Sequence, residues 1–267
     1  MVDIEGFLID LDGTVYLGDT PIDGADGFFR TLEQNETPYL LLTNNSTQTP
    51  LKIANKLKSM GIRVRPEHIY TSAMATGDFL RQEHGEKRKA FVIGEEGLLE
   101  SLLSINWQLV ENENEAEFVI VGLDRKLTYE KLERASLAVQ QGAKFIACNT
   151  DSYLPTPYGF LPGSGAIVCA IETTTGVKPK VIGKPEPIII EEALSQLGTP
   201  KEKTAIVGDR LETDIEAGKR AGIKTILVLT GAKKEEREIK KYNPDYVFKD
   251  IGELWRDFLK QRKNLLF

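Results

Sequence analysis

The chain has 267 residues, 41% apolar and 28% charged, with a formal net charge of −6. This is the composition of a globular protein with room for two domains, and its acidity argues against a nucleic-acid partner. No apolar run nears the ~18 residues of a membrane span and no basic, apolar leader opens the sequence, so the expectation is a cytoplasmic protein without a membrane partner. In chain order, Phe7-Leu8-Ile9 predicts a buried strand with Asp10 and Asp12 at its tip. Residues two apart in an extended chain share a side, so these two carboxylates are expected to converge. A helix follows near Ala25 to Asn35. A strand over Tyr39 to Thr43 then runs into Asn44-Asn45-Ser46. Next come a helix over Leu51 to Met60, stopped at Gly61, and a short strand over Ile69 to Ser72 with a helix after it.

The middle of the chain carries a second set of the same kind. Ala90 to Gly94, Phe118 to Gly122 and Phe145 to Asn149 read as buried strands. Leu127 to Gln141 has helical periodicity, and acidic Val110 to Glu117 reads as a solvated connection. Lys180 to Gly183, Thr204 to Asp209, Thr225 to Leu229 and Tyr246 to Phe248 then continue the first series. Short apolar strands alternating with helices predict an α/β fold with a doubly wound parallel-sheet, Rossmann-like core. The middle block's own strands and helices predict an inserted smaller α/β domain. The core is accordingly set at 1–75 and 180–267, and the insertion at 76–179. Cys148 and Cys169 lie in apolar runs and are expected in the core. With His68 and His84 the only histidines, a zinc site or a Ser-His-Asp triad is disfavoured.

Open α/β sheets bind ligands beyond the carboxyl ends of their strands, so what each strand delivers there matters. The first delivers Asp10, Asp12, Gly13 and Thr14; the next Thr43, Asn44, Asn45 and Ser46. "KVIGKPEP" delivers Lys184, and "TAIVGDRLETD" delivers Asp209 and, one turn later, Asp214. Four carboxylates around one lysine repel unless a hard divalent cation joins them, and Mg²⁺ takes carboxylate oxygens while keeping positions for a phosphate. Lys184 adds a point charge suited to a phosphoryl oxygen. Thr43 and the N–H groups at the next helix start can hold the remaining oxygens. A carboxylate nucleophile beside a metal and a lysine suits an aspartyl-phosphate intermediate, with one acid attacking and the other moving the proton. Each piece alone is unspecific: "DxD" also serves as a solvated turn or a nucleotide-sugar metal site, and "TNN" as a helix cap.

Together, "DLDGT", "TNN", "GKP" and "GDRLETD" resemble the four ordered motifs of the haloacid dehalogenase superfamily. The resemblance implies Asp10 as nucleophile and Asp12 as general acid/base. It implies phosphate binding by Thr43 with Asn44 and Asn45, and makes Lys184 the third-motif lysine and Asp209 with Asp214 the acidic fourth motif. Asp10, the backbone carbonyl of Asp12, and Asp209 are the Mg²⁺ ligands it implies. An insertion between the second and third motifs resembles the C2-capped branch. "VGLD", "GAKFIACNTD", "GFLPGSGAI" and "TGVKPKVIGKPEP" are similar to 4-nitrophenylphosphatase and NagD-type sugar and nucleotide phosphatases. The implied function is Mg²⁺-dependent hydrolysis of a small phosphorylated metabolite, in a protein that can form a homodimer through its cap. "PGSG" (Pro162 to Gly165) is a candidate donor of N–H groups toward that metabolite. A phosphomutase of the same superfamily and a non-catalytic phosphometabolite-binding regulator are the alternatives.

Overall fold

The computed structural model describes residues 3–156, 158–231 and 234–264. The described chain forms two compact units. The first takes the chain up to Thr43, then Pro50–Tyr70, then everything from Lys184; the second takes Asn44–Thr49 and Thr71–Gly183. The second unit thus begins at Thr71 and ends at Gly183, where sequence reading sets 76 and 179, and it also claims the six residues after Thr43.

The sheet of the first unit has six strands in the order Tyr246–Phe248, Lys224–Val228, Thr204–Gly208, Gly6–Ile9, Tyr39–Thr43, Ile69–Thr71, the last ending on the first residue of the second unit's main segment. Gly6–Ile9 pairs in parallel with Thr204–Gly208 on one side and Tyr39–Thr43 on the other. Chain order therefore reverses beside Gly6–Ile9, and this switch point is where an open sheet leaves a crevice at its carboxyl end. The central strands Gly6–Ile9, Tyr39–Thr43 and Thr204–Gly208 are buried along their whole length, as strands covered on both faces are. On one face, helix Ala25–Gln34 buries Ala25, Phe28, Phe29 and Leu32, the spacing of one helical stripe. Phe7, Phe28 and Phe258 meet edge to face there, with ring centroids 5.5–5.9 Å apart. Helix Pro50–Ser59 starts on proline and buries Ile53, Ala54 and Leu57. Between the first strand and the first helix stands only a hairpin of Tyr16–Leu17 with Thr20–Pro21.

In the second unit, five parallel strands run in the order Lys180–Val181, Lys144–Ala147, Phe118–Val121, Lys89–Ile93, Gln108–Leu109. Its core joins Phe91, Val119, Val121, Phe145 and Ala147 to Ala135, Val139, Ile167 and Ile171 of its helices. Thr128 caps helix Tyr129–Gln140 by accepting from Lys131 N. An antiparallel hairpin, Tyr153–Thr156 with Gly159–Pro162, stands apart from the five-stranded sheet.

Two expectations need correction. Lys180–Val181 does not extend the first sheet; it pairs with Ile146 and Ala147 in the second. Apolar pattern identifies a strand but not its partner, which backbone hydrogen bonding across the fold selects. Cys148 is buried but Cys169 is exposed. Helix Ser164–Thr175 turns Ile167, Val168 and Ile171 inward, and position 169 lies ~100° from Val168 around the helix. No described helix is long and apolar enough to cross a membrane.

Candidate active site

At the switch point of the first sheet, Asp10 follows strand Gly6–Ile9 and Asp209 follows its neighbour Thr204–Gly208. Asp10 N continues the ladder by donating to Val207 O (2.8 Å). After Asp209 the chain enters a wide π-helical turn, Leu211–Ile215, which brings Asp214 back: Arg210 N donates to its Oδ2 (3.0 Å). Asp10, Asp209 and Asp214 are all buried, and each offers an oxygen within 4.8 Å of the others. Lys184, only 2% exposed, joins them. Its Nζ donates to Asp10 Oδ1 (2.6 Å), Asp214 Oδ1 (2.7 Å) and the Leu42 carbonyl (3.2 Å).

Lys184 bonds two of these three buried carboxylates, Asp10 and Asp214, so one ammonium stands directly against two negative charges. Burial raises the Asp10 carboxyl well above the usual carboxylate range; Asp214 adds to this, and Lys184 only partly opposes it. Burial and Asp214 push Asp209 up to about 7. Burial works against a charged Lys184, but Asp10 and Asp214 more than offset it and hold its ammonium above the ordinary value.

The site also fits a hard cation. Among the described residues Asp209 Oδ1 is buried with no hydrogen-bond partner, a state that normally carries a penalty of ~1–3 kcal/mol or more. Around it the chain is kept bare. A Cβ on Gly13 would stand 2.6 Å from the Asp209 carboxylate, and one on Gly231 would overlap it. Gly13 also sits at φ +89°, where side chains are strained. Thr230 Oγ1 donates to the Gly13 carbonyl and fixes this turn. Buried carboxylate oxygens in a bare pocket are the donor set hard divalent cations take.

Asp12 is placed differently from the expectation. The chain leaves the extended state after Ile9 and turns so that Thr14 N, Val15 N and Tyr16 N all approach the Leu11 carbonyl (2.8–3.3 Å). Alternation no longer applies past the turn, so the Asp12 side chain is exposed and outside the three-acid group. Tyr16 Oη donates to its Oδ2 (3.1 Å). Burial and the nearby Asp12 charge raise the Tyr16 phenol above its ordinary value, so it remains a donor.

Thr43 is buried at the end of its strand, next to the Asp10 strand. Asn44 and Asn45 fall in the second unit. Asn45 Oδ1 accepts from Thr47 N (2.8 Å), Thr47 Oγ1 (3.0 Å) and Gln48 N (3.1 Å), closing a turn before the proline-started helix. In "PGSG", Gly163 N and Gly165 N donate to the Ser152 and Asp151 carbonyls (3.0 Å each), so these two groups are committed within the second unit. Sequence reading missed Thr230 and Gly231. They stand just beyond Lys224–Val228, whose exit the strand-end tally left out. Tyr16 also went unnoticed, although its place four residues after Asp12 was in plain view.

The buried acids and lysine at the switch point of the first sheet stand in a chain that matches known hydrolases. Residues 7–108 match the family described as haloacid dehalogenase-like hydrolase, and residues 181–254 the HAD-hydrolase-like family. The acid sugar phosphatase of Staphylococcus epidermidis is 44% identical over 249 residues, 93% of this chain and 95% of that protein. A thermostable NPPase double mutant from Geobacillus stearothermophilus superposes with TM-score 0.88 at 47% identity, covering 95% of this chain and 98% of that one. NagD from Escherichia coli gives TM-score 0.88 at 37% identity, covering 94% and 98%. The chain belongs to the haloacid dehalogenase-like hydrolases, in the branch of the nitrophenylphosphatases and NagD, and it is a phosphatase.

Proposed function

We propose that this phosphatase is Mg²⁺-dependent and hydrolyses phosphomonoesters of small metabolites through a phosphorylated Asp10. The observation that carries this reading is the buried group of three acids and one lysine with the unpartnered oxygen of Asp209. Asp10, Asp209 and the Asp12 backbone carbonyl are the residues that would hold Mg²⁺, with Asp214 beside them. Bound there, Mg²⁺ supplies positive charge that offsets the carboxylates and favours a phosphate dianion.

The chain's own residues divide the rest of the work. An Asp10 oxygen attacks phosphorus as the bond from phosphorus to the ester oxygen breaks, and Asp12 gives that oxygen its proton. Water then attacks the aspartyl phosphate and passes a proton to Asp12. The bond from phosphorus to Asp10 breaks, releasing inorganic phosphate. Lys184 holds Asp10 in place through their 2.6 Å bond, and its charge offsets that of the transferred phosphoryl group. Thr43 serves as a phosphate-binding hydroxyl. Asn44 and Asn45 complete that segment, Asn45 by shaping the turn. The second unit is the cap that selects the ester.

Relatives that are acid sugar phosphatases, and structural neighbours that are nitrophenylphosphatases, support sugar phosphates as substrates, with nucleoside monophosphates next and 4-nitrophenyl phosphate as an artificial one. The exposed Tyr153, Phe160 and Leu161 of the second unit's hairpin support pairing of two copies through the cap, which sedimentation would detect. To test the reading, a panel of phosphomonoesters is assayed before chelation, after it, and after Mg²⁺ is returned. Hydrolysis of a sugar phosphate that vanishes and returns is expected, with phosphate on Asp10 in acid-quenched protein. Full activity after exhaustive chelation would refute it.

A further inference from the structure

We infer that Asn149 is a positioning residue for phosphate binding: inside the second unit its side-chain amide fixes the backbone next to Thr43, and its Cβ packs where the backbone next to Lys184 arrives. The inference rests on the proposed phosphate-binding roles of those two residues.

Asn149 is buried, at the exit of strand Lys144–Ala147. Its Nδ2 donates to the carbonyl of Asn44 (2.7 Å), the residue directly after Thr43. Its Oδ1 accepts from Asp151 N (3.1 Å) and from Ser164 Oγ. The Asn44 carbonyl can only accept and the Asp151 N–H can only donate, so the orientation of the amide is settled by its partners. Ser72 Oγ donates to the same Asn44 carbonyl (2.7 Å), and Asn44 Nδ2 donates to Asp151 Oδ1 (3.1 Å).

Gly183, the residue directly before Lys184, reaches the same place. Its N–H donates to the Cys148 carbonyl (2.8 Å). A Cβ on it would stand 2.5 Å from that carbonyl oxygen, 2.7 Å from Asn44 Oδ1 and 3.0 Å from Asn149 Cβ. The two segments whose next residues are Thr43 and Lys184 are therefore held against one another, with Asn149 bonded to one and packed on the other. Backbone neighbours share peptide planes, so a shift of Asn44 or Gly183 is passed to Thr43 or Lys184. Asp10 and Asp209 follow strands Gly6–Ile9 and Thr204–Gly208, so their place is set first by that sheet, with the Lys184 bond to Asp10 added to it.

Asn149→Asp keeps the shape but sets a carboxylate oxygen against the Asn44 carbonyl. Inorganic phosphate is the probe, read as a competitive inhibitor of 4-nitrophenyl phosphate hydrolysis and by calorimetry on the whole protein. Phosphate affinity roughly tenfold weaker and a matching rise in KM are expected, with Mg²⁺ affinity in the absence of phosphate changed less than about twofold. As pH falls toward about 5 the gap to the unmodified protein should narrow. The introduced carboxyl then gains a proton that it can donate to the Asn44 carbonyl. Asn149→Ala should show no such recovery. Gly183→Ala and Ser164→Ala disturb the same joint from its other sides and give the readout if Asn149→Asp does not fold. Phosphate affinity lost in Thr43→Val and Lys184→Gln but kept in folded Asn149→Asp and Gly183→Ala overturns the inference alone. Affinity unchanged in Thr43→Val and Lys184→Gln overturns the underlying reading and the inference with it.

Discussion

The two parallel sheets of this protein end in opposite ways. At the carboxyl end of the first, Asp10 and Asp214 share Lys184, and the third acid, Asp209, keeps a buried oxygen without a hydrogen-bond partner among the described residues. Beyond the second sheet, Asp124 is just as buried but matched one to one. Its Oδ2 takes Lys131 Nζ at 2.5 Å and its Oδ1 takes Lys126 N at 2.8 Å. Elsewhere at that end the polar groups also have partners: Glu95, beyond Lys89–Ile93, pairs with Arg125 (2.7 Å), Asn149 donates to the Asn44 carbonyl (2.7 Å), and Leu123 N donates to Ser46 Oγ (3.1 Å). Burial alone therefore does not mark the chemistry. Excess charge and an unsatisfied acceptor do, because a fold that tolerates them has them compensated by something it binds.

Asp10→Asn breaks this contrast most severely. An amide cannot attack phosphorus and is a poorer metal ligand, so turnover should fall at least ~10³-fold in steady-state assays. A pure variant retaining a tenth of the activity would end the aspartyl-phosphate reading. Asp12→Asn comes next and separates the exposed acid from the buried three. It should lose roughly 10²–10⁴-fold on alkyl phosphates but less on 4-nitrophenyl phosphate, whose leaving group needs little protonation. Equal losses on both esters would deny Asp12 the proton-donor role.

A smaller effect should appear in stability without metal. Asp209 is raised to about 7 and Asp10 is also raised, so between the ordinary carboxylate value and about 7 the folded chain binds more protons than the unfolded one. Stability of the chelated protein should then fall as pH rises through that window, by at most ~1.4 kcal/mol per pH unit for each group. Mg²⁺ should raise the melting temperature more at about pH 8 than at about pH 5. A stabilisation independent of pH would mean that the cation binds elsewhere. The mildest test concerns the end of the second sheet. Burial pushes the Cys148 thiol up to about 12, so a thiol reagent should modify exposed Cys169 alone in native protein and both cysteines after denaturation. Two rapid reactions in the native state would show that this sheet end opens.

Apolar runs and helical spacing made the α/β fold legible in the sequence, because strand and helix periods are local properties of the chain. The site was legible for the same reason: once a strand is recognised, the residues at its exit are known, and Asp10, Thr43 and Asp209 all stand where that rule puts them. Three features were decided only in the tertiary structure. Asp12 stands exposed and outside the buried three because the chain folds back onto the Leu11 carbonyl in a turn that Thr230, from far along the chain, holds through the Gly13 carbonyl, and alternation holds only while the backbone stays extended. Lys180–Val181 joined the second sheet because a two-residue strand takes its partner from distant backbone groups, not from its own pattern. The bare surroundings of Asp209, made by Gly13 and Gly231, came from residues 218 positions apart (231 less 13) that no local spacing connects. Period and strand exit are written along the chain. Orientation, partner and empty space arise only when distant segments meet.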